Sequence, residues 1–242
     1  MCRHLAYLGP PIAIRDVLYT PPHALAVQAR APEHQVWGDS NPDGFGVGWF
    51  PPDGDARFYR TTRPIWDDDE FAARAGTECA GAIVAAARLA TPGSPVELAG
   101  VAPFRSGPWF FALNGIVEGF NDGVGDELRS RLQPDRRAAI EGNADTEVCF
   151  QLLLEHVDAG EPPETAVAAL VAEVEAVSDG RLNFLLGDGT CVVATAIGNS
   201  LFTRTDPVVI SSEALDDDPG WSEVPDRTLV VADHDCVTPT SI

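Results

Sequence analysis

The stretch DTEVCFQLLLEHV at residues 145–157, followed by PETAVAALVAEVEAV at 163–177, decides how this chain is divided. In the first, Val148, Leu152 and His156 recur at four-residue steps; in the second, Val167, Leu170, Val171 and Val174 repeat the pattern. Both spacings predict a helix with one apolar stripe. The text around them reads as strand. Downstream, residues 181–186, 191–197, 201–204, 208–211, 228–232 and 236–240 are short apolar runs separated by turn residues. Upstream, residues 1–8 run as a strand to Gly9-Pro10-Pro11, and 44–50 alternate glycine with Phe, Val and Trp. Residues 79–87 are too uniformly apolar to alternate and fit a strand buried on both faces. Residues 109–113 form another strand, ending at Asn114-Gly115. Short helices are expected over 13–19 and 67–75, the second with Asp67 near its N-cap. Strands, two helices, then more strands predict an α+β sandwich, two sheets with helices outside, as one domain over 1–242.

Composition narrows the function. The 242 residues carry 37 acids against 16 bases, a net charge of −21, and every base is arginine. So anionic a surface repels phosphate backbones and anionic lipid, which argues against nucleic-acid and membrane partners. The longest apolar run, 79–87, is too short to span a bilayer, and no apolar segment with a cleavage site follows Arg3 and His4. The five cysteines are odd in number and scattered, with no CxxC pair and no ligand spacing with histidine. The expectation is a cytoplasmic protein with mostly buried thiols, no metal and no cofactor.

Four features carry chemistry. Cys2 becomes N-terminal if the initiator Met1 is removed. Thiol and α-amine then share one residue, and an amine of pKa about 7.7–8.0 can take the thiol proton. Asn114-Gly115 offers an amide donor beside an unhindered backbone N–H, which is an oxyanion hole; the same dipeptide is also the strongest short signal for a hairpin turn. Arg88 ends the apolar run with a planar fork suited to a carboxylate, or to a salt bridge with one of the many acids. Asp145 opens the first long helix, as an N-cap or as a partner for an ammonium group. Together the four are the needs of one reaction: attack on the side-chain amide of a glutamine-like group whose α-carboxylate and α-ammonium are both held.

At this point the chain resembles the class II glutamine amidotransferases, of the N-terminal nucleophile hydrolase fold, over nearly its whole length. The motifs are Met1-Cys2-Arg3-His4-Leu5, Asn41-Pro42-Asp43-Gly44-Phe45-Gly46, Arg88-Leu89-Ala90-Thr91, Leu113-Asn114-Gly115-Ile116-Val117 and Asp145-Thr146-Glu147. The resemblance implies a four-layer αββα sandwich. It also implies Cys2 as nucleophile, Asn114 and the Gly115 N–H as oxyanion hole, and Arg88 with Thr91 on the α-carboxylate. Asp145, with the Gly115 carbonyl, is implied on the α-ammonium. The chain departs from the synthase-linked members at Pro92, where their His follows Thr, and at Val101-Ala102-Pro103, where they have Asn-x-His-Pro. These departures, with Pro21-Pro22-His23, Arg181-Leu182-Asn183 and the 212–230 tail, are similar to the family's γ-glutamyl hydrolase branch of ergothioneine biosynthesis. That likeness implies a small-molecule γ-glutamyl substrate, the amide of hercynylcysteine S-oxide, and no obligatory protein partner. A stand-alone glutaminase subunit and a hydrolase of other γ-glutamyl peptides are the enzyme rivals; a degenerate binding subunit is the non-enzyme rival. For the trimethylammonium of such a leaving group, Trp221 after Asp216-Asp217-Asp218 is the expected aromatic partner, or else an anchor for its loop.

Overall fold

Alternation along two central strands sets the layers. In the computed structural model, which describes residues 2–91 and 93–242, β1 (Arg3–Ala13) pairs antiparallel with β4 (Cys79–Ala87). Leu5 and Tyr7 of β1, with Ile83, Ala85 and Ala87 of β4, join one apolar core; Ala6, Leu8, Ala82, Val84 and Ala86 join another. A strand sends successive side chains to opposite faces, so β4 is apolar on both sides because it separates two cores.

The seven-stranded first sheet runs β11 (Ser222–Glu223), β9 (Phe202–Thr205), β10 (Val208–Ser211), β1, β4, β2 (Phe45–Phe50), β3 (Arg57–Thr61). The six-stranded second sheet runs β13 (Val237–Ser241), β12 (Thr228–Ala232), β8 (Val192–Ala196), β7 (Arg181–Gly187), β6 (Trp109–Ile116), β5 (Phe104–Ser106). Helices α1 (Arg15–Leu18), α2 (Leu25–Arg30) and α3 (Asp69–Ala75) share the outer core of the first sheet. Two longer helices, α6 (Asp145–Asp158) and α7 (Pro163–Glu175), share the core of the second. The result is the expected four-layer αββα sandwich. Helices α4 (Val124–Arg131) and α5 (Pro134–Ala138) lead from β6 to α6.

Close approach of the two sheets depends on a missing side chain. A Cβ on Gly48 of β2 would lie 2.5 Å from the Phe110 ring of β6, so the glycine lets that ring lie against the first sheet. Phe110 thus faces the gap between the sheets. The next residue, Phe111, turns the other way and stacks on Phe150 of α6, centroids 5.3 Å apart. Such a pair contributes about 0.5–1.5 kcal/mol beyond its area burial.

Several expectations change in detail. The strand expected to stop at Leu113 continues through Asn114-Gly115 to Ile116, pairing Asn114 with Asn183 and Gly115 with Leu182. Asn-Gly is therefore strand interior and not a turn. The α3 cap is Asp68, which accepts from the Phe71 N–H at 3.0 Å, rather than Asp67. Ala144, not Asp145, is the α6 N-cap. The thiols are less buried than expected: Cys149 is buried, Cys2 and Cys191 are half-buried, and Cys79 and Cys236 are exposed; all five are free. Strand β3 carries no sequence signal, because RFYRT is half-exposed and bears Arg near both ends. No helix among the described residues is long and apolar enough to cross a membrane.

Candidate active site

Parity carries the site. Leu5 and Tyr7 face outward on β1, so even-numbered positions face the inter-sheet gap, and Cys2 continues that row. The β1–β4 register pairs Arg3 with Ala87 and His4 with Ala86. One further step along it brings Cys2 beside Arg88. From the opposite sheet, Phe110 faces the gap, and Asn114 follows four residues later on the same face.

At this edge lies a cavity of about 340 Å³ lined by Cys2, Arg88, Thr91, Gly115, Asp145 and Thr146, among others. Five of the six residues expected at the site therefore share one cavity. Asn114 is the exception. It is fully buried behind the wall, where its Nδ2 donates to Ser212 Oγ at 3.2 Å. Ser212 in turn accepts from the His4 N–H at 3.0 Å, and its own N–H donates to the His4 carbonyl. Ser212 thus links the Asn114 amide to the backbone of β1 at His4, two residues from Cys2. Nothing in the sequence around Ser212 signals this.

Arg88 is nearly buried, and its guanidinium donates to the Pro95 carbonyl at 3.2 and 3.3 Å. Among the described residues it forms no ion pair, so the alternative of a salt bridge with a nearby acid is not realised. Gly100 makes room for it: a Cβ there would lie 2.8 Å from Arg88 Nη2. Asp145 Oδ2 accepts from the Val117 N–H at 3.1 Å, tying α6 to the end of β6, while Oδ1 accepts from the Thr146 N–H at 2.7 Å. Burial raises the Asp145 pKa above the usual carboxylate range; those hydrogen bonds and the Arg88 charge oppose the shift.

His4, two residues from Cys2, is no base at neutral pH. Burial, with the Arg3 charge second, pushes its pKa down to about 3. Arg3 is also fully buried. Its Nε donates to Gln35 Oε1 at 3.1 Å and its Nη1 lies 3.5 Å from Glu213 Oε1. Glu213 accepts from the backbone N–H groups of Glu33 and His34. The loop after α2 is therefore bound to the first residue of β1, next to Cys2. Trp221 is placed otherwise than the cation-partner expectation: its Nε1–H donates to Asp216 at 2.8 Å, Arg204 lies 5.1 Å from its ring centroid, and it packs on the outer core. Its polar edge and one face are taken, and it anchors its loop.

Gly115 has a steric reason. A Cβ there would lie 1.8 Å from the Arg181 carbonyl oxygen on β7, a backbone atom that cannot yield without breaking the sheet. Gly115→Ala should lower stability by about 3 kcal/mol or more, read as a fall in the urea midpoint. An unshifted midpoint would mean that β6 and β7 can separate there freely. Among the described residues no group of three or more His, Cys, Asp or Glu is arranged to hold a metal.

The fold and this cavity define a class. Residues 30–207 match the family model described as class II glutamine amidotransferases, and the chain belongs to that family. The γ-glutamyl-hercynylcysteine sulfoxide hydrolase of Mycolicibacterium smegmatis is 39% identical over 99% of this chain and 100% of its own. The protein of the same name from Mycobacterium tuberculosis is 36% identical over 100% of this chain and 97% of its own. A protein described as a glutamine aminotransferase class-II domain protein, from Silicibacter pomeroyi, has the same fold, with a TM-score of 0.69 over 99% of both chains and 23% identity.

Proposed function

We propose that this protein hydrolyses the γ-glutamyl amide of γ-glutamyl-hercynylcysteine S-oxide, releasing glutamate and hercynylcysteine S-oxide in ergothioneine biosynthesis. The observation that carries this reading is the single cavity lined by Cys2, Arg88, Thr91, Gly115 and Asp145 in a chain so similar to hydrolases of that name. In the reaction, Met1, which lies outside the described residues, is removed. The neutral Cys2 amine takes the thiol proton, and sulfur attacks the γ-carbonyl carbon. The second N–H of the Asn114 amide, the one not given to Ser212, and the Gly115 N–H hold the oxygen as it gains charge. The C–N bond breaks, the ammonium returns its proton to the departing amine, and a glutamyl thioester is left on Cys2. Water then attacks the thioester, passing its proton to the amine, and glutamate leaves with the thiol restored. Arg88 and Thr91 hold the substrate α-carboxylate, while Asp145 with the Gly115 carbonyl holds its α-ammonium. The substrate is a small molecule, no second protein is needed, and the five free thiols suit a reducing cytoplasm.

The test is release of glutamate from the S-oxide conjugate and from free glutamine. A kcat/KM for the conjugate well above that for glutamine supports the reading. A preference for glutamine would transfer it to a glutaminase subunit feeding a separate synthase.

The head clamp has a pH signature. Substrate ammonium needs ionised Asp145, whose pKa is raised by burial. As pH falls through that raised value the carboxylate takes a proton and the ion pair is lost, so kcat/KM should fall on the acid side. Asp145→Asn should raise KM and flatten that limb. An unchanged acid limb would place the ammonium elsewhere.

A further inference from the structure

A second cavity of about 310 Å³ adjoins the first and shares Leu89, Thr91, Gly115, Ile116 and Glu118 with it; Trp37 and Arg181 are its own. If the glutamyl head sits between Arg88 and Asp145, as the function proposed above requires, it occupies the first cavity, and the residues shared by both cavities, Thr91 and Gly115 among them, lie between it and the second.

Trp37 stands apart from the other four tryptophans. Trp49 is fully buried, Trp66 and Trp221 pack on the outer core of the first sheet, and Trp109 packs on the core of the second. Trp37 belongs to neither core and is 46% exposed. An indole left out of the core at the mouth of a cavity has a face to spare. Its position is nonetheless fixed. Gln35 donates to the Gly38 carbonyl at 2.9 Å, closing a turn around Trp37, and Gln35 also accepts from buried Arg3. Gly38 has φ +81°, and a Cβ on it would lie 2.4 Å from Leu89, a residue that lines both cavities. The turn that carries Trp37 is thus held to the strand of Cys2 on one side and to the cavity wall on the other. The same cavity is lined by Glu118 and Arg181, loosely paired at 3.8 Å, the glutamate side chain half exposed.

Resting on the function proposed above, we infer that the second cavity holds the leaving group, with the Trp37 indole face and the Glu118 carboxylate taking its trimethylammonium cation. A quaternary ammonium has no N–H to donate. It is bound by an aromatic face and a nearby negative charge, both of which this cavity offers. Arg181 complements the carboxylates of the same leaving group.

The experiment compares kcat/KM for the trimethylated conjugate with that for its unmethylated histidine counterpart, in the wild type, Trp37→Ala, Trp37→Phe and Glu118→Gln. The wild type should prefer the trimethylated substrate. That preference should fall roughly tenfold in Trp37→Ala, fall less in Glu118→Gln, and survive in part in Trp37→Phe, which keeps a ring face. A ratio unchanged across all four proteins overturns the assignment while leaving the proposed function standing. If the wild type hydrolyses neither conjugate, the proposed function fails and binding decides the subsite. Calorimetry would then compare histidine betaine with histidine on Cys2→Ala protein, with and without Trp37→Ala. Tighter binding of the betaine, lost with the indole, upholds the cation subsite; equal binding of the two removes it.

Discussion

Cys2→Ala protein is expected to release no measurable glutamate, a loss of at least about 10⁴-fold, while folding as the wild type does. The side chain is half-buried at the cavity edge. Its sulfur makes no hydrogen bond among the described residues, so truncation should cost under about 1 kcal/mol. The neighbouring His4, neutral and buried, offers no substitute nucleophile or base. An uncleavable N-terminal tag on otherwise wild-type protein should give the same loss. It leaves the thiol in place but turns the basic amine into a peptide nitrogen, so this second experiment separates the base from the nucleophile. Full glutamate release by a protein whose tag is confirmed by intact mass would end the mechanism.

The second large effect is expected from Asn114→Ala. Removing one oxyanion donor lowers kcat by roughly 10²–10³, and KM should change little because the donor matters most once charge develops on oxygen. The structure adds a control. Asn114 is fully buried and its amide donates to Ser212, which keeps its bonds to the His4 backbone when the amide is gone. The stability cost should stay near 1–3 kcal/mol, visible as a moderate drop in urea midpoint without loss of folding. A fall in midpoint with kcat intact would make Asn114 a structural link between the sheets and nothing more.

The sequence by itself determined the layer pattern and picked out most of the residues that line the candidate cavity. Helical spacing at 145–157 and 163–177, set among short apolar runs, is a local signal and needs no knowledge of what packs where. The same is true of the uniformly apolar 79–87 run, which reappears as the strand between two cores. Cys2, Arg88, Asn114-Gly115 and Asp145 could be picked out because together they meet the needs of one reaction, though each alone had a second reading, and five of the six named positions line one cavity. Tertiary structure alone decided the rest. Asn-Gly reads as a turn until a partner strand is present; β7 pairs with it and the strand runs on to Ile116. Asp145 reads as an N-cap until the Val117 N–H arrives from β6 to share its carboxylate. The reading of Trp221 is of the same kind: an aromatic face in an acidic loop reads as a cation partner until Asp216 and Arg204 take its polar edge and one face. Periodicity and residue type are carried by neighbours in the chain. Register, pairing and the filling of a side chain's faces are set by residues far away in sequence, and only the folded chain brings those together.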